Sequence, residues 1–175
     1  MPTIALTSMV KNEAKVIRRC LDSVRPLVDF ILVQDTGSVD GTQDVIREWL
    51  SEHNMPGVVW DALWVGFAEN RSLSLKKLRE EYPQIEYGIM LDADDTLVIK
   101  PDFDIAVWKA GLTADVYDLK QFTPAGVFLC TRQMIFRNSH PFTYEGHVHD
   151  TLTWKGELTR ELVNGMCYVW GSDGS

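Results

Sequence analysis

Three carboxylates stand within four residues at Asp92, Asp94 and Asp95, directly behind an apolar run at 87–91. An apolar run of that length reads as a buried strand. Carboxylates crowded at its mouth repel one another and resist desolvation unless a cation sits among them. A divalent metal with oxygen ligands, itself holding an anionic ligand, meets that requirement. An ordinary acidic turn is the competing reading, because Asp is a common turn residue, and Asp95 is assigned to the turn. Asp35 closes a second apolar run, and Asn12 and Glu13 follow a first one. Late in the chain, His147, His149 and Glu145 share one face of an extended segment, while Asp150 points to the other. That segment places candidate metal ligands beside a candidate base.

The elements that must position these groups alternate. The apolar stretch 3–9 is a strand, and Val16, Ile17, Cys20, Leu21 and Val24 recur at helical spacing up to Pro26, with Asn12 available as a cap. A strand at 30–34 leads through Asp35-Thr36-Gly37-Ser38 to a helix opened by Asp40-Gly41-Thr42. A third strand spans 58–63, a third helix 67–80 and a fourth strand 85–91. This strand–helix pattern predicts an α/β fold, a mostly parallel sheet with helices on both faces. Ligands bind beyond the carboxyl ends of such strands, where Asn12, Glu13, Asp35, Asp92 and Asp94 converge. After Pro101 the pattern changes to an antiparallel hairpin, 116–122 and 126–136 around the turn at 123–126. A polar loop at 140–150 and a last short strand at 165–170 follow. One domain spans 1–175: a nucleotide-binding half at 1–100, a β-rich acceptor half at 101–170, and a disordered tail at 171–175.

The bulk composition agrees with one folded domain: 175 residues, 45% hydrophobic and 24% charged. The formal net charge of −8 argues against nucleic-acid binding, which needs basic patches to neutralise phosphates. It leaves room for a small anionic ligand where a metal or a few arginines reverse the local field. No apolar run approaches the ~18 residues of a membrane span. The start of the chain lacks the basic segment of a secretory signal, so the expected location is cytoplasmic. Cys20, Cys130 and Cys167, without Cys-x-x-Cys spacing, read as buried free thiols in a reducing compartment. Trp60, Trp64 and Trp154 are read as core residues, with stacking on sugars as the other role open to them.

Five segments in order resemble known ones. Met9-Val10-Lys11-Asn12-Glu13-Ala14, followed by Leu21-Asp22-Ser23-Val24, looks like the opening of family-2 glycosyltransferases, which have the GT-A fold. Asp35-Thr36-Gly37-Ser38-Val39-Asp40-Gly41-Thr42 is similar to that family's Asp-x-Gly-Ser-x-Asp-Gly-Thr block. Phe67-Ala68-Glu69-Asn70-Arg71 looks like its Phe-x-x-x-Arg/Asn segment, and Leu91-Asp92-Ala93-Asp94-Asp95 resembles its Asp-x-Asp motif. Tyr144-Glu145-Gly146-His147-Val148-His149-Asp150 resembles the Tyr-x-Gly-x-Val-His-Glu stretch of one branch, with Asp150 one methylene shorter than the branch's Glu.

The resemblance implies a transferase that moves a sugar from a nucleotide donor, a UDP-hexose, to a glycan, a lipid-linked or another hydroxyl acceptor, with inversion. It implies Mn2+ or Mg2+ on Asp94 with His149 as a further ligand. Asp92 would hold the ribose, with Ala93 beside it, and Asp35 the base. Thr7, Met9 and Glu13 would line the base and ribose, and Arg71 would face the diphosphate. The base that activates the acceptor would be Asp150 or Glu145. Asp35-Thr36-Gly37 also spells the catalytic loop of an aspartic protease, but no second such triplet exists in the chain, and that chemistry needs a pair. A catalytically silent sugar-nucleotide-binding module and a nucleotidyltransferase are the other readings; the second normally carries a Gly-rich loop where 9–14 has no Gly.

Overall fold

Alternation along the first two strands decides the layers. Strands β1 (Ile4–Val10) and β2 (Phe30–Asp35) pair in parallel, so successive side chains face opposite sides of the sheet. Ile4, Leu6, Val10, Ile31 and Val33 enter one core with helices α1 (Ile17–Val24) and α2 (Thr42–Glu52). Ala5 and Leu32 enter a second core with helix α3 (Phe67–Glu81). The computed structural model describes residues 1–146, 150–171 and 173–174, and in them helices cover both faces of the sheet.

Strand β3 (Gly57–Asp61) pairs in parallel with β2, and β4 (Tyr87–Met90) in parallel with β1. The sheet then continues through β7 (Phe128–Arg137), β6 (Val116–Phe122), β10 (Arg160–Val169) and β5 (Thr96–Ile99), in the order β3-β2-β1-β4-β7-β6-β10-β5. Strands β4 and β7 join the two parts of the chain in antiparallel register, Gly88 opposite Phe136. A Cβ at Gly88 would fall 2.5 Å from the Phe136 ring, so this seam needs glycine. Strands β8 (Thr143–Glu145) and β9 (Thr151–Thr153) form a separate antiparallel pair packed against α3.

The helices follow their burial. In α1, Ile17, Cys20, Leu21 and Val24 are buried at the i, i+3, i+4, i+7 spacing of one apolar stripe. Helix α3 is different: beside Ala68, Leu75 and Leu78 it buries Asn70, Arg71 and Ser74. Polar residues on the inner face of a helix cost free energy unless each is paired, and these lie under the carboxyl ends of the strands.

Several expectations need correction. Asn12 does not cap α1; it sits at φ 58, the left-handed region Asn tolerates, and its Oδ1 accepts from the Val39 amide at 2.8 Å. Strand β5, helix α4 (Ile105–Ala110) and β9 are additional elements, and the last strand runs from Arg160 rather than 165. Cys20 is buried, but Cys167 is half-buried and Cys130 exposed; all three are free thiols. The tail at 171–175 does not float free in its described residues. The Gly171 amide donates to Asp95 Oδ1 at 3.1 Å and Asp173 pairs with Arg19 at 2.7 Å.

Asp115, at the entry to β6, clips three segments together. It accepts from the Thr159 amide at 2.9 Å and hydroxyl at 2.7 Å, from Arg137 Nε at 3.2 Å, and faces His140 Nε2 at 2.9 Å. The Thr159 amide, with its hydroxyl and His140, holds this carboxyl well below the ordinary carboxylate range against the pull of burial. A depressed carboxyl stabilises the fold above its unfolded pKa and loses that contribution as pH falls. Asp115→Asn should therefore cost about 1.5–3 kcal/mol at pH 7 in urea unfolding, and the gap to the wild type should close as pH drops below about 4.

Candidate active site

Three loops meet at the carboxyl edge of the sheet, held by side chains bonding to backbone. Asp35, fully buried at the end of β2, accepts from the Gly37 and Ser38 amides through Oδ1, both at 2.8 Å. Ser38 Oγ accepts from the Asn12 amide, and Thr42 Oγ1 from the Glu13 amide, both at 2.8 Å. The loops after β1 and β2 thus brace each other. After β4 the acidic turn closes on itself, the Asp95 amide donating to Asp92 O at 3.1 Å. Asp95 is buried and accepts from Gly171, a turn and strap residue as its turn reading requires. Burial and the charge of Asp92 push its carboxyl up to about 7 against the Gly171 amide. Negative charge is crowded at this edge.

Helix α3 brings the positive counterpart. The guanidinium of Arg71 is 10% exposed, with Nη2 2.5 Å from Asp92 Oδ1 and Nη1 2.6 Å from both oxygens of Asp150. Burial opposes its charge, yet Asp92 and Asp150 hold it above its ordinary pKa. Its Cζ also lies 5.8 Å from the centroid of the Tyr144 ring. Asp150 is itself 8% exposed. Partner and counter-ion are therefore both withdrawn from water, whereas Asp92, at 42%, opens to the cleft.

That cleft has a volume of about 570 Å³ and is lined by Met9, Glu13, Arg71, Asp92, Ala93 and Asp94, with Trp64, Phe67 and Trp170 at its rim. Six of the residues expected at a donor site thus share one wall. Asp35 lies beneath it, next to the lining residue Thr36, and among the described residues its buried Oδ2 has no hydrogen-bond partner. Thr7 is fully buried two residues before Met9 on β1, its hydroxyl donating to Ile89 O at 3.2 Å. Arg71 reaches the cleft with Nη1 and Nη2 bonded to the two carboxylates, while among the described residues its buried Nε has no hydrogen-bond partner. Glu145 is exposed on β8 and opens on a separate hollow with Ser72 and Tyr144. His147 and His149 lie outside the described residues. Among the described residues no three His, Cys, Asp or Glu side chains gather as a metal site, and no helix is long and apolar enough to cross a membrane.

Of the aromatic residues at the cleft, only Trp64 had stacking open to it in the sequence, and there as the second reading behind core packing. Trp64 and Phe67 meet edge to face at 4.8 Å between ring centroids, and both are about half exposed. Core packing is the fate of Trp60, half-buried with Lys77 Nζ 5.0 Å from its ring centroid, and of Trp154 against Phe142. It is not the fate of Trp64. The available signal was the run Leu63-Trp64-Val65 before Gly66, apolar but without the periodicity of strand or helix.

Residues 9–103, more than half of the chain, match the family model described as Glycosyl transferase family 2. A comparison of the sequence with curated proteins found no match. Among solved structures, the chain is similar to TarS 1–349 from S. aureus, with a TM-score of 0.60 at 17% identity over 78% of this chain and 47% of that one. The same protein in complex with UDP-GlcNAc matches with a TM-score of 0.57 at 18% identity, over 73% of this chain and 37% of that one. The mannosyltransferase PcManGT from Pyrobaculum calidifontis, in complex with GDP-Man and Mn2+, matches with a TM-score of 0.51 at 21% identity, over 67% and 35%. These likenesses show a shared GT-A fold, and the chain spans less than half the length of each of these proteins.

Removing the guanidinium would leave the Asp150 carboxylate buried without its partner. Arg71→Ala should lower stability by about 3 kcal/mol or more in urea unfolding. Arg71→Lys should restore only part, because a point charge cannot span both carboxylates as a planar fork does.

Proposed function

The chain belongs to glycosyl transferase family 2, and from that membership we propose that it moves a hexose from a UDP-type donor to the hydroxyl of a glycan or lipid-linked acceptor, with inversion and with a divalent metal. The observation that carries this reading is the pair Asp92 and Asp94 on the wall of a cleft at the carboxyl ends of parallel strands, the place where this architecture binds ligands.

The residues present fit a metal. Carboxylate oxygens suit hard cations, which take one or two protein carboxylates and fill the remaining positions with phosphate oxygens and water. A cluster of three protein ligands is therefore not required. Asp94 would hold Mn2+ or Mg2+, with His149 as the candidate further ligand, and the Mn2+ in the structure of PcManGT supports that choice. Bound there, the cation would neutralise the diphosphate as it leaves.

The chain's own groups take the other roles. The unpartnered Asp35 Oδ2 accepts an N–H from the base of the nucleotide. Asp92 accepts from the ribose, and Met9, Glu13 and Ala93 line the nucleotide and its sugar. Arg71 holds Asp92 and Asp150 in register, and its charge lies at the inner end of the cleft where the diphosphate sits. Asp150 takes the proton from the acceptor hydroxyl as that oxygen bonds to the sugar and the diphosphate departs. The 101–170 half supplies the acceptor side.

A second assignment of the base follows from one contact. Both Asp150 oxygens accept from Arg71 Nη1, a counter-ion's role that would leave the proton transfer to Glu145, acting from its separate hollow on β8.

A panel of sugar nucleotides with Mn2+ tests the reading through thermal shifts. The true donor should stabilise the fold, by about 2.7 kcal/mol at a hundredfold excess over Kd, and Asp94→Ala should abolish the Mn2+-dependent part. Mn2+-dependent binding that survives in Asp94→Ala contradicts the assignment. Asp150→Asn should keep donor binding and lose transfer by at least a hundredfold; if only Glu145→Gln does so, the base is Glu145. Donor binding with no transfer or donor hydrolysis in the wild type would make the protein a binding module.

A further inference from the structure

We propose that Phe67, braced by Trp64, is the platform on which a sugar ring of the acceptor stacks, so that the acceptor is a carbohydrate bound in a second pocket next to the donor cleft. The inference rests on the glycosyltransferase reading and deepens it.

The second pocket, of about 460 Å³, shares Phe67, Arg71 and Asp92 with the donor cleft and continues past Asp150 to Gln121 and Arg132. Its size lies in the range of small-molecule sites, about 300–1,000 Å³. Phe67 stands on the lip between the two cavities, 52% exposed. The rest of the lining is largely polar. Gln121 offers an amide, and Arg132, with a side chain 40% exposed and 4.0 Å from Asp150, offers a guanidinium. Thr151 adds a hydroxyl.

An aromatic face together with planar donors and acceptors matches a pyranose, whose C–H face is apolar and whose hydroxyls are polar. A lipid tail in the same pocket would strip water from the half-exposed Arg132 guanidinium, whose contact with Asp150 is 4.0 Å long, without replacing its hydrogen bonds, which is costly.

The display of these rings is built. Leu63, Trp64, Val65 and Phe67 are all exposed, an apolar cluster that a soluble surface does not ordinarily carry. The loop is nevertheless held in place. Asn70, fully buried, accepts from the Val65 and Gly66 amides at 2.9 and 3.2 Å and donates to Leu63 O at 2.9 Å. Gly66 sits at φ 144, a backbone conformation that residues with a side chain rarely adopt. A buried asparagine thus fixes an apolar loop at the cleft mouth, and the edge-to-face contact with Trp64 fixes the Phe67 ring.

The experiment measures transfer from the donor identified by thermal shift to a panel of methyl glycosides and disaccharides, with a polyprenyl phosphate and glycerol phosphate as non-sugar probes. At least one glycoside should accept. Phe67→Ala should raise the acceptor KM about tenfold, with a much smaller change in donor KM, and Phe67→Tyr should restore the acceptor KM. Transfer only to a non-sugar probe, a Phe67→Ala effect confined to donor KM, or no effect on acceptor KM overturns the proposal. Failure of the wild type to bind any sugar nucleotide would instead overturn the glycosyltransferase reading itself.

Discussion

The site depends on one buried cation. Arg71 leaves water on the inner face of α3 and is compensated by Asp92, 21 residues later, and Asp150, 79 residues later. An isolated charge in such surroundings would cost several kcal/mol, and its pairing recovers that only where the geometry is close. The end of β4, the first turns of α3 and the segment entering β9 must therefore meet at one point. Arg71 and Asp92 then line both the 570 Å³ cleft and the adjoining pocket, and Asp150 the pocket alone, so a single ion network stands between the two cavities.

Around that network the loops are held by side chains rather than by sheet. Asp35, Ser38 and Thr42 accept from backbone amides of their own or the neighbouring loop, satisfying donors that a strand end leaves open. Asp35 devotes one oxygen to this task and keeps the other buried and unpartnered among the described residues. An orphaned buried oxygen is unfavourable in the free protein, and a ligand that donates to it relieves that cost.

The alternation of 1–100 was legible because each strand and helix carries its own period and each strand end its own polar turn. The acidic pair Asp92 and Asp94 stood out for the same reason. What was hidden is non-local. Strand β5 is four residues long and exists by pairing with β10, whose partner residues lie some seventy positions away. The pairing of Arg71 with Asp150 spans 79 residues and leaves no mark in the local sequence. Asn12 resembles a cap until its left-handed backbone turns its amide toward the second loop. Trp64 was misread because a tryptophan's default is burial, and the buried Asn70 that holds it outward acts through backbone, which leaves no periodic trace.

A crystal structure of the protein with UDP and Mn2+ tests the central claim most directly, because it shows the ion network and both cavities at once. The account predicts the diphosphate in the 570 Å³ cleft, Mn2+ on the Asp94 carboxylate and a uracil N–H on Asp35 Oδ2, with Arg71 still bridging Asp92 and Asp150. Nucleotide bound outside this cleft, or metal bound away from Asp94, would contradict it.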